Sequence, residues 1–316
     1  MSENRPELLI VAALPAWLQE PWAAEFICHD WVNAPDREAL VAAVRSRIRG
    51  VVTHAAGAVE ESLLARLPAL EIVACFGVGY DGIPLEYCRR RGLRVSNTPD
   101  VLTDDTADIA VALTMMLCRD LLTANRHLVA GAWPQGPAPL ATAMKGKRVG
   151  ILGLGRIGKA IAQRLEGFAC HISYYGRQRQ DVRYQYYASL IEMASACEVL
   201  VVACPGGGET RHLVDAAVLD ALGSKGWLVN IARGSVVDEV ALIKALQAGT
   251  LRGAGLDVYE NEPSVPQALI ALPNVVLLPH VGSATRETRL AMSLGVLHNL
   301  RAHFAGAPLP TPVPGC

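Results

Sequence analysis

Three polar side chains in the second half of the chain suit acid–base chemistry on an anionic substrate. Arg233 lies in NIARG after the apolar run WLV, Glu262 in DVYENEP after GAGL, and His280 in PHVGS after VVLL. An arginine can clamp a carboxylate and polarise a carbonyl oxygen. A histidine exchanges its proton near neutral pH, and a carboxylate on its second ring nitrogen orients it and favours its charged form. Taken singly, these residues also fit a surface arginine, a turn glutamate and a loop-capping histidine.

A glycine-rich turn offers a place for a phosphate-bearing cofactor. The sequence RVGILGLGRIGKAIAQRL contains Gly153-x-Gly155-x-x-Gly158 between a β-branched run and a helical pattern. Such glycines permit a tight turn, close approach of a pyrophosphate, and packing of the helix on the strand. Without that context the motif also fits an ordinary turn. With it, we expect a dinucleotide to contact the turn residues Gly153, Leu154, Gly155, Arg156, Ile157 and Gly158.

The end of the next strand indicates which dinucleotide is preferred. A carboxylate about 20 residues after the glycines would accept a hydrogen bond from the ribose 2′-OH of NAD. The segment HISYYGRQRQ has no Asp or Glu before Asp181 and contains Gly176, Arg177 and Arg179 instead. A guanidinium can bind a 2′-phosphate, so we expect NADP as cofactor, with NADPH preferred over NADH. Two solvated surface arginines are the alternative.

The motifs GLGRIG, NIARGSVVDE, GLDVYENEP and LLPHVGSAT, in this order, resemble the D-2-hydroxyacid dehydrogenase family. The nearer likeness is to its glyoxylate/hydroxypyruvate reductase and hydroxyphenylpyruvate reductase branch. The resemblance runs from about Val51 to Arg289 and includes ACFGVGYDGI and RVSNTPDVLTDDTADIAVAL. It implies that the catalytic residues are Arg233, Glu262 and His280, with His280 as the proton donor.

The resemblance also implies contacts with substrate and cofactor. Asp257 is expected at the nicotinamide carboxamide. The glycine-rich loop after Cys204 is expected on the adenosine side, although it departs from the Pro-x-Thr pattern of relatives. The expected substrate contacts are Val78 and Gly79 through their backbone N–H groups, with Arg233, His280 and Ser283. Besides the glycine turn (153–158) and the segment with Gly176, Arg177 and Arg179, the expected cofactor contacts are Thr106, Cys204, Pro205, Thr210, Ile231, Ala232, Asp257 and Gly282.

The function expected from this resemblance is reduction of small 2-keto acids, such as glyoxylate and hydroxypyruvate, to D-2-hydroxy acids. Two enzymatic alternatives are a bulkier acid such as hydroxyphenylpyruvate, and an NAD-dependent dehydrogenase. The alternative outside enzymes is a binding module that senses dinucleotide state. The resemblance further implies a homodimer built through the region around Trp133, a residue that fits equally well in the substrate pocket.

The composition excludes several other classes of protein. Of 316 residues, 51% are hydrophobic and 19% charged, and 29 Lys and Arg balance 30 Asp and Glu, which gives no reason to expect nucleic acid or a membrane surface as partner. The longest apolar run, 109–118, is too short for a bilayer that needs roughly 20 residues. The polar opening MSENRPELL predicts no secretory leader, and eight scattered cysteines show no metal-ligand spacing. We therefore expect a cytoplasmic protein without a metal, in which the cysteines are small buried apolar residues.

Alternating strand and helix patterns must position these residues. Strands are predicted at 8–13, 26–28, 50–53, 72–75 and 93–96, and again at 148–152, 171–175, 199–203, 227–231, 255–258 and 275–278. This predicts an α/β fold with two doubly wound parallel-sheet domains separated by a cleft. A flavodoxin-like substrate domain is expected at 1–99 plus 285–316, and a Rossmann dinucleotide-binding domain at 100–284.

Three further features of the pattern give specific expectations. One long helix is predicted from Thr103 or Asp104 to Leu122, and the breaker-rich segment GAWPQGPAP (131–139) is predicted to join the two domains. A helix at 286–304 is predicted to carry Leu290, Leu294, Leu297 and Leu300 on one side. The histidines other than His280 are expected to lack a matched partner.

Overall fold

The computed structural model describes residues 5–55 and 57–316, which divide into two compact units. Unit 1 extends to Leu102 and resumes at Thr285, and unit 2 runs from Thr103 to Ala284. The part of the leader prediction that depends on residues 1–4 lies outside the described residues. Within the described residues, no helix is both long enough and apolar enough to span a membrane.

Unit 1 is built on a five-stranded parallel sheet. Its first elements are β1 (Glu7–Ile10), α1 (Ala16–Ala23), β2 (Ile27–Asp30), α2 (Arg37–Val44), β3 (Ile48–His54), α3 (Glu61–Ala65), β4 (Ile72–Phe76), α4 (Leu85–Arg91) and β5 (Arg94–Ser96). The strand order is β2-β1-β3-β4-β5, which is the doubly wound order of flavodoxin-like domains.

Unit 2 is built on a seven-stranded parallel sheet. Its elements are α5 (Thr103–Cys118), α6 (Leu121–Val129), β6 (Arg148–Leu152), α7 (Arg156–Glu166), β7 (His171–Tyr175), β8 (Gln185–Tyr187), α8 (Leu190–Ala196), β9 (Val199–Val202), α9 (Ala216–Leu222), β10 (Trp227–Asn230), α10 (Glu239–Ala248), β11 (Gly253–Leu256), α11 (Gln267–Ile270) and β12 (Val275–Leu277). The order β12-β11-β10-β9-β6-β7-β8 reverses direction between β6 and β9. That reversal marks the crevice where Rossmann sheets bind ligands.

Alternate residues of the central strands face opposite sides of this sheet. In β9, Val199 and Val201 belong to the core that includes α5 and α7, whereas Leu200 and Val202 belong to the core of α8, α9 and α10. Helices therefore cover both faces, as a parallel sheet requires. The predicted α/β fold with two parallel sheets is confirmed.

The last helix of the described chain, α12 (Arg286–Phe304), belongs to unit 1, and its bounds agree with the prediction. The predicted apolar side is half wrong, because Leu290 and Leu294 are exposed while Leu297 and Leu300 are buried. The indole Nε1 of Trp22 in α1 donates to the carbonyl of Ser293 at 2.9 Å. Packing against α1 therefore selects a different face of α12 from the one that leucine spacing suggests.

Three other expectations need correction. The predicted long helix is two helices, because Asp120 takes a left-handed conformation (φ 47°) and Thr142 donates twice to the Cys118 carbonyl. Segment 131–139 lies inside unit 2 and does not join the units. The sequence also predicted no element at the positions of α1 and β8. All eight cysteines are free, but Cys28, Cys204 and Cys316 are only half-buried.

Candidate active site

The glycine turn connects β6 to α7 beside the point where the sheet reverses. Gly153 has φ +98°, and a Cβ there would lie 2.7 Å from Cα of Cys204, which belongs to the loop after β9. A Cβ on Gly158 would lie 2.1 Å from the Gly153 carbonyl oxygen, whereas one on Gly155 would meet nothing within 4 Å. Gly155 also caps α7 without a side chain, so its first N–H groups can bind an anion. This turn fits a dinucleotide pyrophosphate.

The loop after β7 carries the two arginines that were predicted to bind a 2′-phosphate. Gly176 is half-buried, and Arg177 and Arg179 are exposed. Arg177 follows the carboxyl end of β7, the edge of the sheet at which the glycine turn also lies. Arg179, farther along the same loop, lines an open surface groove together with residues that include Glu166 and His171. Arg177 is the nearer of the two in sequence to the carboxyl end of β7, and the 2′-phosphate contacts of both arginines stay predictions.

A short turn after β10 presents Arg233. The Asn230 side chain fixes this turn, since its Nδ2 donates to the Arg233 carbonyl (2.9 Å) and its Oδ1 accepts from the Ala232 N–H (3.0 Å). Gly234 then packs on the loop after β11, where a Cβ would lie 1.9 Å from the carbonyl carbon of Tyr259. Two loops that are distant in sequence are thus held in direct backbone contact. Asn230 and Gly234 belong to the motif NIARG, but the sequence predicted no role for either residue.

Glu262 and His280 are brought together by the loops after β11 and β12. His280 Nδ1 lies 2.7 Å from Glu262 Oε2, and the Tyr259 N–H donates to Glu262 Oε1 at 3.0 Å. Burial acts to raise the pKa of Glu262, but the hydrogen bond and charge of His280, the Tyr259 N–H and the charge of Arg233 together lower it. The side chains of His280 and Glu262 remain 31% and 24% exposed, so a small substrate can reach them.

Asp257 fastens the backbone that follows His280. Its Oδ1 accepts from the Val281 N–H and its Oδ2 from the Gly282 N–H, both at 2.7 Å. The residue is 1% exposed, and burial raises its pKa although both N–H groups act to lower it. Thr106 is also buried, and its hydroxyl donates to the Gly282 carbonyl at 3.2 Å. Asp257 and Thr106 therefore build the loop that holds His280, whose backbone is left-handed (φ +53°).

The remaining residues predicted to contact cofactor or substrate lie in three places. Ile231 and Ala232 are buried in the turn before Arg233, and Ser283 is half-buried beyond the His280 loop. The Thr210 hydroxyl donates within its own loop, to the carbonyl of Pro205 at 2.8 Å. Burial raises the pKa of Cys204 to about 11, so its thiol stays protonated at neutral pH. These contacts give the loop after β9 a fixed shape beside the glycine turn.

The predicted carboxylate-binding loop belongs to unit 1. The Gly77 N–H donates to the Thr98 hydroxyl at 2.9 Å, and Asn97 Nδ2 donates to the Val78 carbonyl at 2.8 Å. Gly77 has φ +146°, and a Cβ there would lie 2.4 Å from that of Ala55. The backbone of Val78 and Gly79 is therefore held by contacts with its own unit, and its substrate role stays a prediction.

The expectation that other histidines lack partners is wrong. His29 Nε2 lies 2.7 Å from Glu7, His212 Nε2 lies 3.0 Å from Glu260, and His303 Nε2 lies 3.1 Å from Glu71. Glu260 also accepts from Arg211, which ties the loop after β9 to the loop that carries Glu262. No sequence signal could reveal these pairs, because the partners are 22 to 232 residues apart.

Over most of its length the chain is similar to known proteins. Residues 111–282 match the family described as D-isomer specific 2-hydroxyacid dehydrogenase, NAD binding domain. The glyoxylate/hydroxypyruvate reductase A of Arabidopsis thaliana is 49% identical over 97% of this chain and 98% of that protein. The hydroxyphenylpyruvate reductase of Plectranthus scutellarioides is 47% identical with the same coverage. The crystal structure of an NADPH-dependent glyoxylate/hydroxypyruvate reductase from Sinorhizobium meliloti, in complex with NADP and malonate, superposes with a TM-score of 0.91. It is 43% identical and covers 98% of this chain and 97% of that one.

Proposed function

The chain belongs to the D-isomer specific 2-hydroxyacid dehydrogenase family, and on that premise we propose that it reduces small 2-keto acids, such as glyoxylate and hydroxypyruvate, to D-2-hydroxy acids. The observation that carries the proposal is the His280–Glu262 pair (2.7 Å) in a loop cluster with the Arg233 turn. The activities for which the Arabidopsis and Sinorhizobium relatives are named support the same substrate class.

The chain's own residues divide the reaction between them. A bound nicotinamide cofactor supplies the hydride. Arg233 binds the substrate carboxylate and directs an N–H to the ketone oxygen, which draws negative charge as the carbonyl is reduced. His280 gives its Nε2 proton to that oxygen, while Glu262 on Nδ1 stabilises the charged ring beforehand. Val78 and Gly79 supply backbone N–H groups for the carboxylate, and Ser283 contacts the substrate.

The preferred cofactor in this proposal is NADPH. Support comes from Gly176 and Arg177 at the end of β7, where a carboxylate would favour NAD, and from the NADP complex of the Sinorhizobium relative. We expect the double variant Gly176→Asp/Arg177→Ala to shift preference toward NADH, because it adds a ribose acceptor and removes the phosphate-binding cation. Unchanged relative kcat/KM values for NADPH and NADH in that variant would reject the cofactor assignment.

Turnover of a substrate panel tests the proposed activity. Steady-state oxidation of NADPH, repeated with NADH, is measured with glyoxylate, hydroxypyruvate and hydroxyphenylpyruvate. The highest kcat/KM on the two small acids supports the proposal. A higher kcat/KM on hydroxyphenylpyruvate, the substrate after which the Plectranthus relative is named, would show that the proposed substrate class is wrong. Tight NADPH binding without turnover of any of the three acids overturns the enzymatic proposal in favour of a dinucleotide-sensing module.

We also propose that the protein is a homodimer formed through α6 and the segment after it. None of the α6 residues is buried, although the helix carries Leu128 and Val129, the latter 79% exposed. Trp133 and Leu140 beyond it are also exposed, Leu140 completely. A second copy would cover these apolar side chains. Light scattering after size-exclusion chromatography tests this proposal. The wild type should have twice the mass of one chain, and the double variant Leu128→Lys/Val129→Lys should have the mass of a single chain.

A further inference from the structure

The loop that carries Arg177 is fastened at its far end by a buried tyrosine. Tyr174 in β7 is fully buried, and its hydroxyl accepts from the Gln180 N–H at 2.7 Å and donates to the Gln180 carbonyl at 3.4 Å. Burial of this hydroxyl without a partner would be costly, so closure of the loop onto Tyr174 is favoured. The backbone at Gln180 is thereby fixed.

The near end of the same loop has a weaker contact. Tyr186 in β8 lies against Tyr174, with 5.3 Å between ring centroids, and its hydroxyl donates to the Gly176 carbonyl at 3.4 Å. Between the two fastened ends lie three exposed residues, Arg177, Gln178 and Arg179. The ends of this five-residue loop are thus held although its middle faces solvent.

The Gln180 side chain links the loop to the glycine turn. Its Nε2 donates to the Leu154 carbonyl at 3.0 Å, and Leu154 lies between Gly153 and Gly155 in the turn that fits a pyrophosphate. Tyr175 adds a backbone link, since its carbonyl accepts from the Gly153 N–H at 2.9 Å. The segment that holds Arg177 and the turn at the N-terminus of α7 are therefore held at a set spacing.

We propose that Gln180 and Tyr174 are positioning residues for recognition of a 2′-phosphate, a role that rests on the proposed use of NADPH. They hold the loop so that Arg177 is presented at the carboxyl end of β7, and they reduce the conformational entropy lost when the phosphate binds. Arg179, which lines the groove beside Glu166 and His171, is not the residue that binds the phosphate.

Direct binding of two nucleotides to the full-length protein tests this inference without turnover. The probes are 2′,5′-ADP and 5′-AMP, which differ only in the 2′-phosphate, and calorimetry gives the ratio of their Kd values. We expect Arg177→Ala to abolish the preference for 2′,5′-ADP. Gln180→Ala and Tyr174→Phe should each reduce that preference roughly three- to tenfold, the effect of losing one uncharged hydrogen bond. Arg179→Ala should retain the wild-type preference.

Matched variants control for general loosening of this edge of unit 2. Gln178→Ala changes an exposed glutamine of the same loop, and Tyr184→Phe removes the hydroxyl of a tyrosine before β8 whose ring lies under the Arg183 guanidinium. Both should keep the wild-type Kd ratio. The inference is overturned, and the NADPH proposal retained, if Gln180→Ala and Tyr174→Phe also keep it while Arg177→Ala does not. Equal reductions in the control variants likewise overturn it. Equal wild-type affinity for both nucleotides overturns the NADPH preference and the inference together.

Discussion

Glu262 holds His280 by the ring nitrogen that the proposed reaction does not use. Oε2 of Glu262 lies 2.7 Å from Nδ1 of His280, while Oε1 is occupied by the Tyr259 N–H at 3.0 Å. Both carboxylate oxygens are engaged, so the orientation of the carboxylate, and with it that of the imidazole, is fixed. Nε2 is the ring nitrogen outside this pair, and it is the one from which the proton would leave.

Glu262→Gln should slow keto-acid reduction. An amide retains a hydrogen-bond acceptor but no longer stabilises the charged imidazole, so the loss in kcat should be roughly 10- to 100-fold. The matched control is Glu7→Gln, which removes the charge from a similar pair with His29 in unit 1, also 2.7 Å apart. A wild-type kcat in Glu262→Gln would contradict the orienting role.

Arg233→Lys should raise KM for the keto acid and lower kcat together. A lysine keeps the charge but loses the planar set of donors that binds a carboxylate and reaches a ketone at once. We expect each parameter to change about tenfold, the cost of one charge-assisted hydrogen bond. Arg252→Lys, which changes an arginine stacked 4.6 Å over Trp227, is the control and should have wild-type kinetics. A change in KM alone would restrict Arg233 to binding.

Two alanine substitutions in the glycine turn should separate cofactor binding from folding. Gly155→Ala places a Cβ in open space, so its Tm should be that of the wild type while its Kd for NADPH increases. Gly158→Ala places a Cβ 2.1 Å from the Gly153 carbonyl oxygen, and the overpacking should cost about 1–3 kcal/mol of stability. Thermal unfolding and fluorescence titration with NADPH measure the two effects. Equal Tm values for both variants would show that the packing argument is wrong.

Asp257→Asn should loosen the loop that holds His280. Asparagine offers one acceptor oxygen where Asp257 now accepts from two N–H groups, so one buried N–H loses its partner at a cost of about 1–3 kcal/mol. We expect faster hydrogen exchange at Val281 and Gly282, together with a lower kcat. Exchange at Ala254 and Gly255 in the preceding strand is the internal reference. Unchanged protection at both loop amides would refute the positioning role.

Glu239→Gln should become more stabilising relative to the wild type as pH rises. Burial raises the pKa of Glu239 above its ordinary 4.5, as does the charge of Glu260, although the Glu260 N–H acts to lower it. The folded protein thus holds this proton more tightly than the unfolded chain, so its free energy of unfolding falls as pH rises from 4.5 through the folded pKa. Glutamine has no such proton. The difference in Tm between variant and wild type should increase across that window and then level off, whereas exposed Glu20→Gln should show no such trend.

Local pattern determined much of this protein from its sequence alone. Alternating strand and helix periods gave the two parallel sheets, because each crossover must bury one apolar face. The glycine spacing predicted the turn before α7, since no other residue fits at Gly153 and Gly158. Polar residues directly after strands indicated Arg233, Glu262 and His280, because the carboxyl ends of parallel strands meet at one edge of a sheet.

Only the tertiary structure decided how distant segments pair. Leucine spacing in α12 fits more than one face, and the structure buries Leu297 and Ser293, whose carbonyl accepts from Trp22, while leaving Leu290 exposed. Asp257 accepts from the Val281 and Gly282 N–H groups and so supports the His280 loop, a role that the sequence did not indicate, while its predicted cofactor contact stays a prediction. Such pairings depend on contacts between residues far apart in the chain, which neither periodicity nor short motifs encode.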